Sequence, residues 1–171
     1  MIVMMAGLPG TGKSTLAREL AVRTSGRVLS KDEVRHAIFQ PAEIKYSTRQ
    51  DDYCLRIMVE TAGYLLARDA GRVIFLDGRP FSRRYQLENV IAAADSIGQP
   101  WRILECVCSE ETVRRRLAED TESGSHPAGN RGFQLYAAVK ARFEAITHPK
   151  KVIDTDQELE GCVRAGMAAL R

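Results

Sequence analysis

The stretch Ile2 to Leu16, IVMMAGLPGTGKSTL, decides the fold. Its first five residues, Ile2 to Ala6, form an unbroken apolar run, the mark of a strand covered on both faces. From Lys13 to Thr24 the apolar positions Leu16 and Leu20 fall four apart, on one face of a helix. Between the two, Gly7 to Ser14 fits G-x-x-x-x-G-K-[ST], the phosphate-binding P-loop, in the strand, loop, helix setting that the motif requires. Glycines let the backbone wrap so that successive N–H groups point at an anion, and the helix opening at Lys13 aims its positive end at the same place. The pattern assigns Gly7, Pro9, Gly10, Thr11, Gly12, Lys13, Ser14 and Thr15 to a nucleotide. Lys13 is expected to reach the β and γ oxygens, and Ser14 to complete the shell of a Mg²⁺ ion. The competing reading is a bland glycine turn; a chance match in a chain of this length is on the order of 1 %.

Outward from the P-loop, apolar runs and helical periodicities alternate to the end of the chain. Arg27 to Leu29 reads as a second strand, and Ser30-Lys31-Asp32-Glu33 as a capping box opening a helix to about Phe39. Ser47-Thr48-Arg49-Gln50 starts a long helix to about Ala70, closed by Gly71. Val73 to Leu76 is the third strand, followed by a helix from about Arg83 to Ile97, a strand from Arg102 to Val107 and a helix from Ser109 to Glu119. Thr121 to Gly132 is polar, rich in Gly and Ser and aperiodic, and reads as a loop. Tyr136, Val139, Phe143 and Ile146 fall at helical spacing, Lys151 to Ile153 is a last strand, and Thr155-Asp156-Gln157-Glu158 caps the terminal helix. The expectation is an α/β fold: a single P-loop NTPase domain over residues 1–171, with a five-stranded parallel sheet, helices on both faces and a lid at about 116–132.

Composition bounds the rest. The chain has 171 residues, 44 % hydrophobic and 27 % charged, which suits one globular core and excludes disordered and fibrous classes. No apolar run is long enough for a membrane helix and no signal-peptide pattern opens the chain, so a cytoplasmic protein is expected. The net charge of +3 names no partner. Arginine outnumbers lysine 19 to 6, which suits phosphate or carboxylate recognition, with a GC-rich genome as the alternative cause. Cys54, Cys106, Cys108 and Cys162 lack paired metal spacing and read as reduced, mostly buried thiols, with Cys106 and Cys108 on one strand face.

Several residues carry candidate chemistry. Asp32 follows the second strand, at the edge where an α/β sheet meets its ligand, and could act as general base while Arg35, one turn on, holds an anionic group. Against this, Ser30 and Glu33 complete the capping box without Asp32, and the helix dipole favours an acid there anyway. Asp77 ends a hydrophobic strand in the manner of a Walker-B acid binding Mg²⁺ or orienting the acceptor, with Arg79, Arg83 and Arg84 nearby; a salt-bridged scaffold is the other reading. Arg114 to Arg116 precede the polar loop and Arg131 ends it, and Arg116 with Arg131 is the favoured pair for positive charge over a migrating phosphoryl group. His36, His126 and His148 have no metal-ligand spacing.

These residues carry a resemblance. GLPGTGKSTLAREL, the D-x-x-R of Asp32 and Arg35, the strand ending at Asp77-Gly78, the S-E-E-x-x-x-x-R-L of Ser109 to Leu117 and the late HPAGNR resemble the small P-loop kinases. The likeness is greatest to the group containing polynucleotide 5'-kinases, chloramphenicol phosphotransferase and zeta toxins. The resemblance implies ATP and Mg²⁺, phosphorylation of a hydroxyl, Asp32 as general base, Arg35 as acceptor clamp and an arginine lid. Residues 28–36 are also similar to adenylylsulfate kinases. Two positions depart from the group: Asp120 stands where a lid arginine is common, and Arg79 where threonine or asparagine is, suggesting a more anionic acceptor or a local salt bridge.

The expected function is an ATP- and Mg²⁺-dependent kinase acting on the hydroxyl of a small molecule such as an antibiotic, nucleoside or sugar derivative. Lys13, Asp32, Arg116 and Arg131 are the expected catalytic residues, Arg35, Asp77, Arg79 and Arg84 the acceptor-binding ones, and Ser14 and Asp77 the metal ligands. A nucleic-acid 5'-hydroxyl is the alternative acceptor, and a nucleotide-binding switch or toxin-like protein without an acceptor is the second alternative. A monomer or homodimer without membrane association is expected.

Overall fold

The computed structural model describes residues 1–123 and 132–171. Five parallel strands, β1 (Ile2–Ala6), β2 (Arg27–Ser30), β3 (Ile74–Asp77), β4 (Trp101–Val107) and β5 (Lys151–Asp154), lie in the order β2-β3-β1-β4-β5. The helices are α1 (Lys13–Thr24), α2 (Lys31–Ile38), α3 (Thr48–Arg68), α4 (Arg84–Ser96), α5 (Glu110–Ser123), α6 (Phe133–Ala141) and α7 (Leu159–Ala169). The expected α/β architecture with five parallel strands is the observed one.

Strand alternation builds two cores. Ile2, Met4 and Ala6 of β1 face one side, where Met58, Ala62 and Leu66 of α3 and Leu87, Val90 and Ala94 of α4 cover them. Val3 and Met5 face the other side, against Leu16, Ala17 and Leu20 of α1 and Cys162 and Val163 of α7. All five residues of β1 are buried, which is why the strand reads as a continuous apolar run instead of an alternating one. The strand order reverses at β1: it pairs with β3 on one side and β4 on the other, opening a crevice at its carboxyl end. The β2–β3 register sets Ser30 opposite Asp77, so that strand ends and the start of α2 meet at the same edge.

Two predicted caps are present: Ser30 accepts from the Glu33 N–H at 3.4 Å, and Ser47 from the Gln50 N–H at 3.3 Å. Two expectations are corrected. The helix carrying Tyr136 and Val139 ends at Ala141, and Phe143 and Ile146 reach the first core from irregular chain. The cause lies in Glu144, whose backbone N–H donates to the Ser82 carbonyl and whose carboxylate takes the Arg84 N–H at 2.7 Å and Arg83 Nη1 at 2.8 Å at the start of α4. Those bonds hold the Glu144 carboxyl below the usual carboxylate range, the Arg84 backbone bond foremost. At the terminal helix, Glu158 is the N-cap and makes no side-chain cap bond; the Thr155 hydroxyl is used elsewhere.

The cysteines are free thiols, with Cys54, Cys106 and Cys162 buried. Cys106 lies in β4 and Cys108 one residue past its end, so the two do not share a strand face as expected. Burial raises all four thiols, Cys106 to about 12. Among the described residues no helix is long and apolar enough to cross a membrane, and no His, Cys, Asp and Glu cluster forms a metal cage.

Candidate active site

The P-loop links the end of β1 to α1, and its backbone explains its glycines. Gly7 has φ +126°, a conformation essentially confined to glycine, and a Cβ there would lie 2.3 Å from the Cys106 carbonyl oxygen of β4. Gly12, at φ +75°, is the N-cap of α1 with no side chain over the helix end, which leaves first-turn N–H groups for an anion. Within the loop, Thr11 Oγ1 and Lys13 Nζ both donate to the Leu8 carbonyl, at 2.8 and 2.7 Å. Gly7→Ala is expected to cost about 1–3 kcal/mol from the backbone alone and to weaken nucleotide binding. Thermal unfolding and nucleotide titration read both, and an unchanged pair would show that the loop tolerates displacement from β4.

Two clefts meet at Lys13. One, of about 630 Å³, runs from Gly10, Gly12, Ser14 and Thr15 past Arg116 to Thr155–Leu159. In it, Arg116 donates from Nη1 to Thr155 Oγ1 at 3.0 Å and from Nη2 to the Thr155 carbonyl at 2.7 Å. Thr155 Oγ1 also lies 3.1 Å from the Thr11 carbonyl and 3.2 Å from that of Val107, tying the chain after β5 to the P-loop. The other cleft, of about 470 Å³, is lined by Pro9, Lys13, Lys31, Asp32, Asp51, Arg79 and Arg83 among others, with Tyr46 and Tyr85 at its edge. Both volumes are in the range of small-molecule sites.

A charged network underlies the second cleft. Arg35 is fully buried; its Nη1 donates to Asp32 Oδ1 at 2.6 Å, its Nη2 pairs with Asp51, and its guanidinium lies 5.1 Å from the Tyr46 ring centroid. Lys31 Nζ sits 3.2 Å from Asp32 Oδ1 and 2.9 Å from Asp51 Oδ1. Arg79, also buried, pairs with Asp52 through Nη2 and faces Asp51 Oδ2 at 3.0 Å through Nη1. Tyr85 donates to Asp52 Oδ2 at 2.9 Å.

Asp77, at the carboxyl end of β3, is buried, and its Oδ1 has no hydrogen-bond partner. Ser14, Asp32 and Asp77 line one recess at the sheet edge. An orphaned carboxylate oxygen beside a P-loop hydroxyl is a donor set that suits a hard cation such as Mg²⁺.

The predicted site residues separate by place. Asp32 and Arg79 line the second cleft together, with Arg35 behind them. Arg84 points elsewhere: it is exposed on a shallow recess with Glu144 and His148, while Arg83, the N-cap of α4, lines the cleft. Arg131, His126 and the rest of 124–131 within the expected lid lie outside the described residues. The sequence reading missed Lys31, Asp51, Asp52, Tyr85 and Arg142. Its available signal was the arithmetic of burial, since two inward-facing arginines demand carboxylates, and the start of α3 carries Asp51 in its first turn and Asp52 just after it.

The chain matches one protein-family model, described as AAA domain, over residues 2–146. No curated protein matches it in sequence. Among solved structures it is similar to a protein of Chloroflexus aurantiacus j-10-fl, at 20 % identity over 99 % of this chain and 98 % of that one, with a TM-score of 0.76. It is also similar to the APS kinase CysC of Mycobacterium tuberculosis solved with AMPPNP and APS, at 17 % identity over 99 % and 96 % of the chains and TM-score 0.73. A gluconokinase from Sinorhizobium meliloti 1021 is similar at 17 % identity over 99 % and 90 %, TM-score 0.72. At such identities the likeness establishes the fold.

Proposed function

The chain belongs to the AAA-domain family whose model spans residues 2–146, and from that premise we propose that it is an ATP- and Mg²⁺-dependent kinase that phosphorylates a hydroxyl of a small molecule. The acceptor class is an antibiotic, nucleoside or sugar derivative, as in the small P-loop kinases related to polynucleotide kinases, chloramphenicol phosphotransferase and zeta toxins. One observation carries the reading: Lys13 lines both clefts, so a nucleotide in the first presents its γ-phosphoryl group to an acceptor in the second. Similar structures that are kinases, one solved with AMPPNP and APS, support the kinase reading.

In this reading the P-loop N–H groups and α1 hold the phosphates, and Lys13 stays with the migrating group. Ser14 and Asp77 hold Mg²⁺, which when bound neutralises charge on the β and γ oxygens. Asp32 receives the proton of the attacking hydroxyl. Lys31 and Arg35 fix its carboxylate, and a loose phosphoryl transition state asks more for that orientation than for strong basicity. Arg116, tied to Thr155 beside Gly12, supplies positive charge at the nucleotide cleft, and Arg131 joins it in the proposal.

The test is ATP consumption with Mg²⁺ against a pooled library of hydroxyl compounds, with products scanned for added phosphate, beside Asp32→Asn. Asn still accepts from Arg35, so the fold is expected to persist while transfer falls about 10²-fold or more. Hydrolysis without product, indifferent to Asp32→Asn, would reject the kinase reading. A polynucleotide acceptor is the second reading, favoured by Tyr46 and Tyr85, 42 % and 40 % exposed at the second cleft, where they offer faces for base stacking. Oligonucleotide phosphorylation falling steeply with salt would select it over the small-molecule reading.

A further inference from the structure

We propose that the second cleft selects an acceptor bearing an anionic group, a carboxylate, phosphate or sulfate, and that Arg79 is the residue that reads it. The inference rests on the kinase reading for the word acceptor, and on the cleft itself for the anion.

Arg79 is 2 % exposed and lines the cleft, yet only Nη2 makes a hydrogen bond, to Asp52. Among the described residues Nε has no acceptor, and Nη1 faces Asp51 Oδ2 at 3.0 Å without hydrogen-bond alignment, so the contact is charge pairing only. Two of the three nitrogens of a buried guanidinium are thus left with N–H donors unmet. Buried polar groups are satisfied as a rule, and exceptions beside a cavity point to what fills it. An acceptor oxygen is what these donors lack.

Charge selects an anion over a neutral oxygen. The described cleft lining carries five cations, Lys13, Lys31, Arg79, Arg83 and Arg142, against the carboxylates of Asp32 and Asp51. Adding the groups paired behind the lining, Arg35, Asp52 and Glu144, leaves six cations against four carboxylates. Lys13 answers to the nucleotide in the proposed reaction, so the remaining positive charge lies on the acceptor side. Arg142, which forms no ion pair among the described residues, also lines the cleft. Asp51 and Asp52 hold Arg79 in place without exhausting its donors, which preorganises the guanidinium before any ligand arrives.

The experiment uses matched compounds: a polyol, a hexose and a nucleoside, each beside its carboxylate, phosphate or sulfate derivative, in separate arms. Wild type, Arg79→Gln and Arg79→Lys are measured for transfer from ATP and, without ATP, for the rise in Tm that a bound ligand gives. The expected result is a kcat/KM at least about 10²-fold higher for one anionic derivative than for its neutral parent, expressed chiefly in KM. Arg79→Gln is expected to bring that ratio to within about fivefold. Arg79→Lys, which keeps a cation between Asp51 and Asp52 but lacks Nε, is expected to lose at least about tenfold of it, and decides the matter if the Gln variant does not fold.

Neutral parents phosphorylated as fast as their derivatives overturn the anion inference and leave the kinase standing. A Tm rise specific to anions and lost in both variants, with no transfer to any compound, sinks the kinase reading and upholds the anion site. Neither transfer nor an anion-specific Tm rise overturns both.

Discussion

Lys13→Ala is expected to lower kcat by about 10² to 10³, the worth of one strong donor to a transition state, or roughly 3–4 kcal/mol. Lys13 is 4 % exposed, its ammonium lies 2.7 Å from the Leu8 carbonyl, and it borders both clefts. In the proposed reaction a compact charge there would follow the γ-phosphoryl group from donor to acceptor, so its removal is expected to fall on kcat beyond any change in nucleotide affinity. Single-turnover transfer at saturating ATP, with circular dichroism confirming the fold, is the check. An unchanged kcat would remove Lys13 from the transition state and with it the argument from two adjoining clefts.

Arg35→Met is expected to destabilise the protein by about 3–5 kcal/mol, because it leaves buried carboxylate without its closest partner. For a chain of this size that corresponds to a Tm lower by about 6–20 °C. Arg35 is among the largest fully buried side chains and binds Asp32 and Asp51 at once. A contrasting measurement is Arg23→Ala, which removes the pair with Glu160, at 46 % and 55 % side-chain exposure. Pairs that wet contribute about 1 kcal/mol at most, so Tm should hardly move. An equally small shift for Arg35→Met would mean that Lys31 and Arg79 neutralise Asp51 and Asp32 unaided.

Much of this architecture was legible because it rests on local rules. The apolar run of β1, the P-loop glycines and the Ser30 and Ser47 caps are each written within a few residues, and the alternation of strands and helices fixes a parallel sheet. What was not legible depends on direction and distance along the chain. Arg83 and Arg84 are interchangeable in sequence, and only the entry angle of α4 sends Arg83 to the cleft and Arg84 away. Thr155 looked like a helix cap because T-x-x-E is a local pattern, but its hydroxyl meets partners 144 and 48 residues away in sequence. Phe143 and Ile146 keep helical spacing after the helix has ended, since Glu144 is claimed by the start of α4. Asp51, which holds Arg35 together with Asp32, and Asp52, which holds Arg79, lie on α3, and in sequence they resemble ordinary acids near a helix start.

The central place of β1 also governs how the protein is made. Its five buried residues leave the ribosome first among the strands, yet their partners, Ile74 to Leu76 and Trp101 to Glu105, come some 70 to 100 residues later. At about 5–20 residues per second, the first of these follows β1 by roughly 4 to 15 s. For that interval the most apolar strand of the sheet has no neighbour to pair with. Nascent chains of this protein are therefore expected to need shielding over β1, and to acquire protease resistance only once β4 has been synthesised.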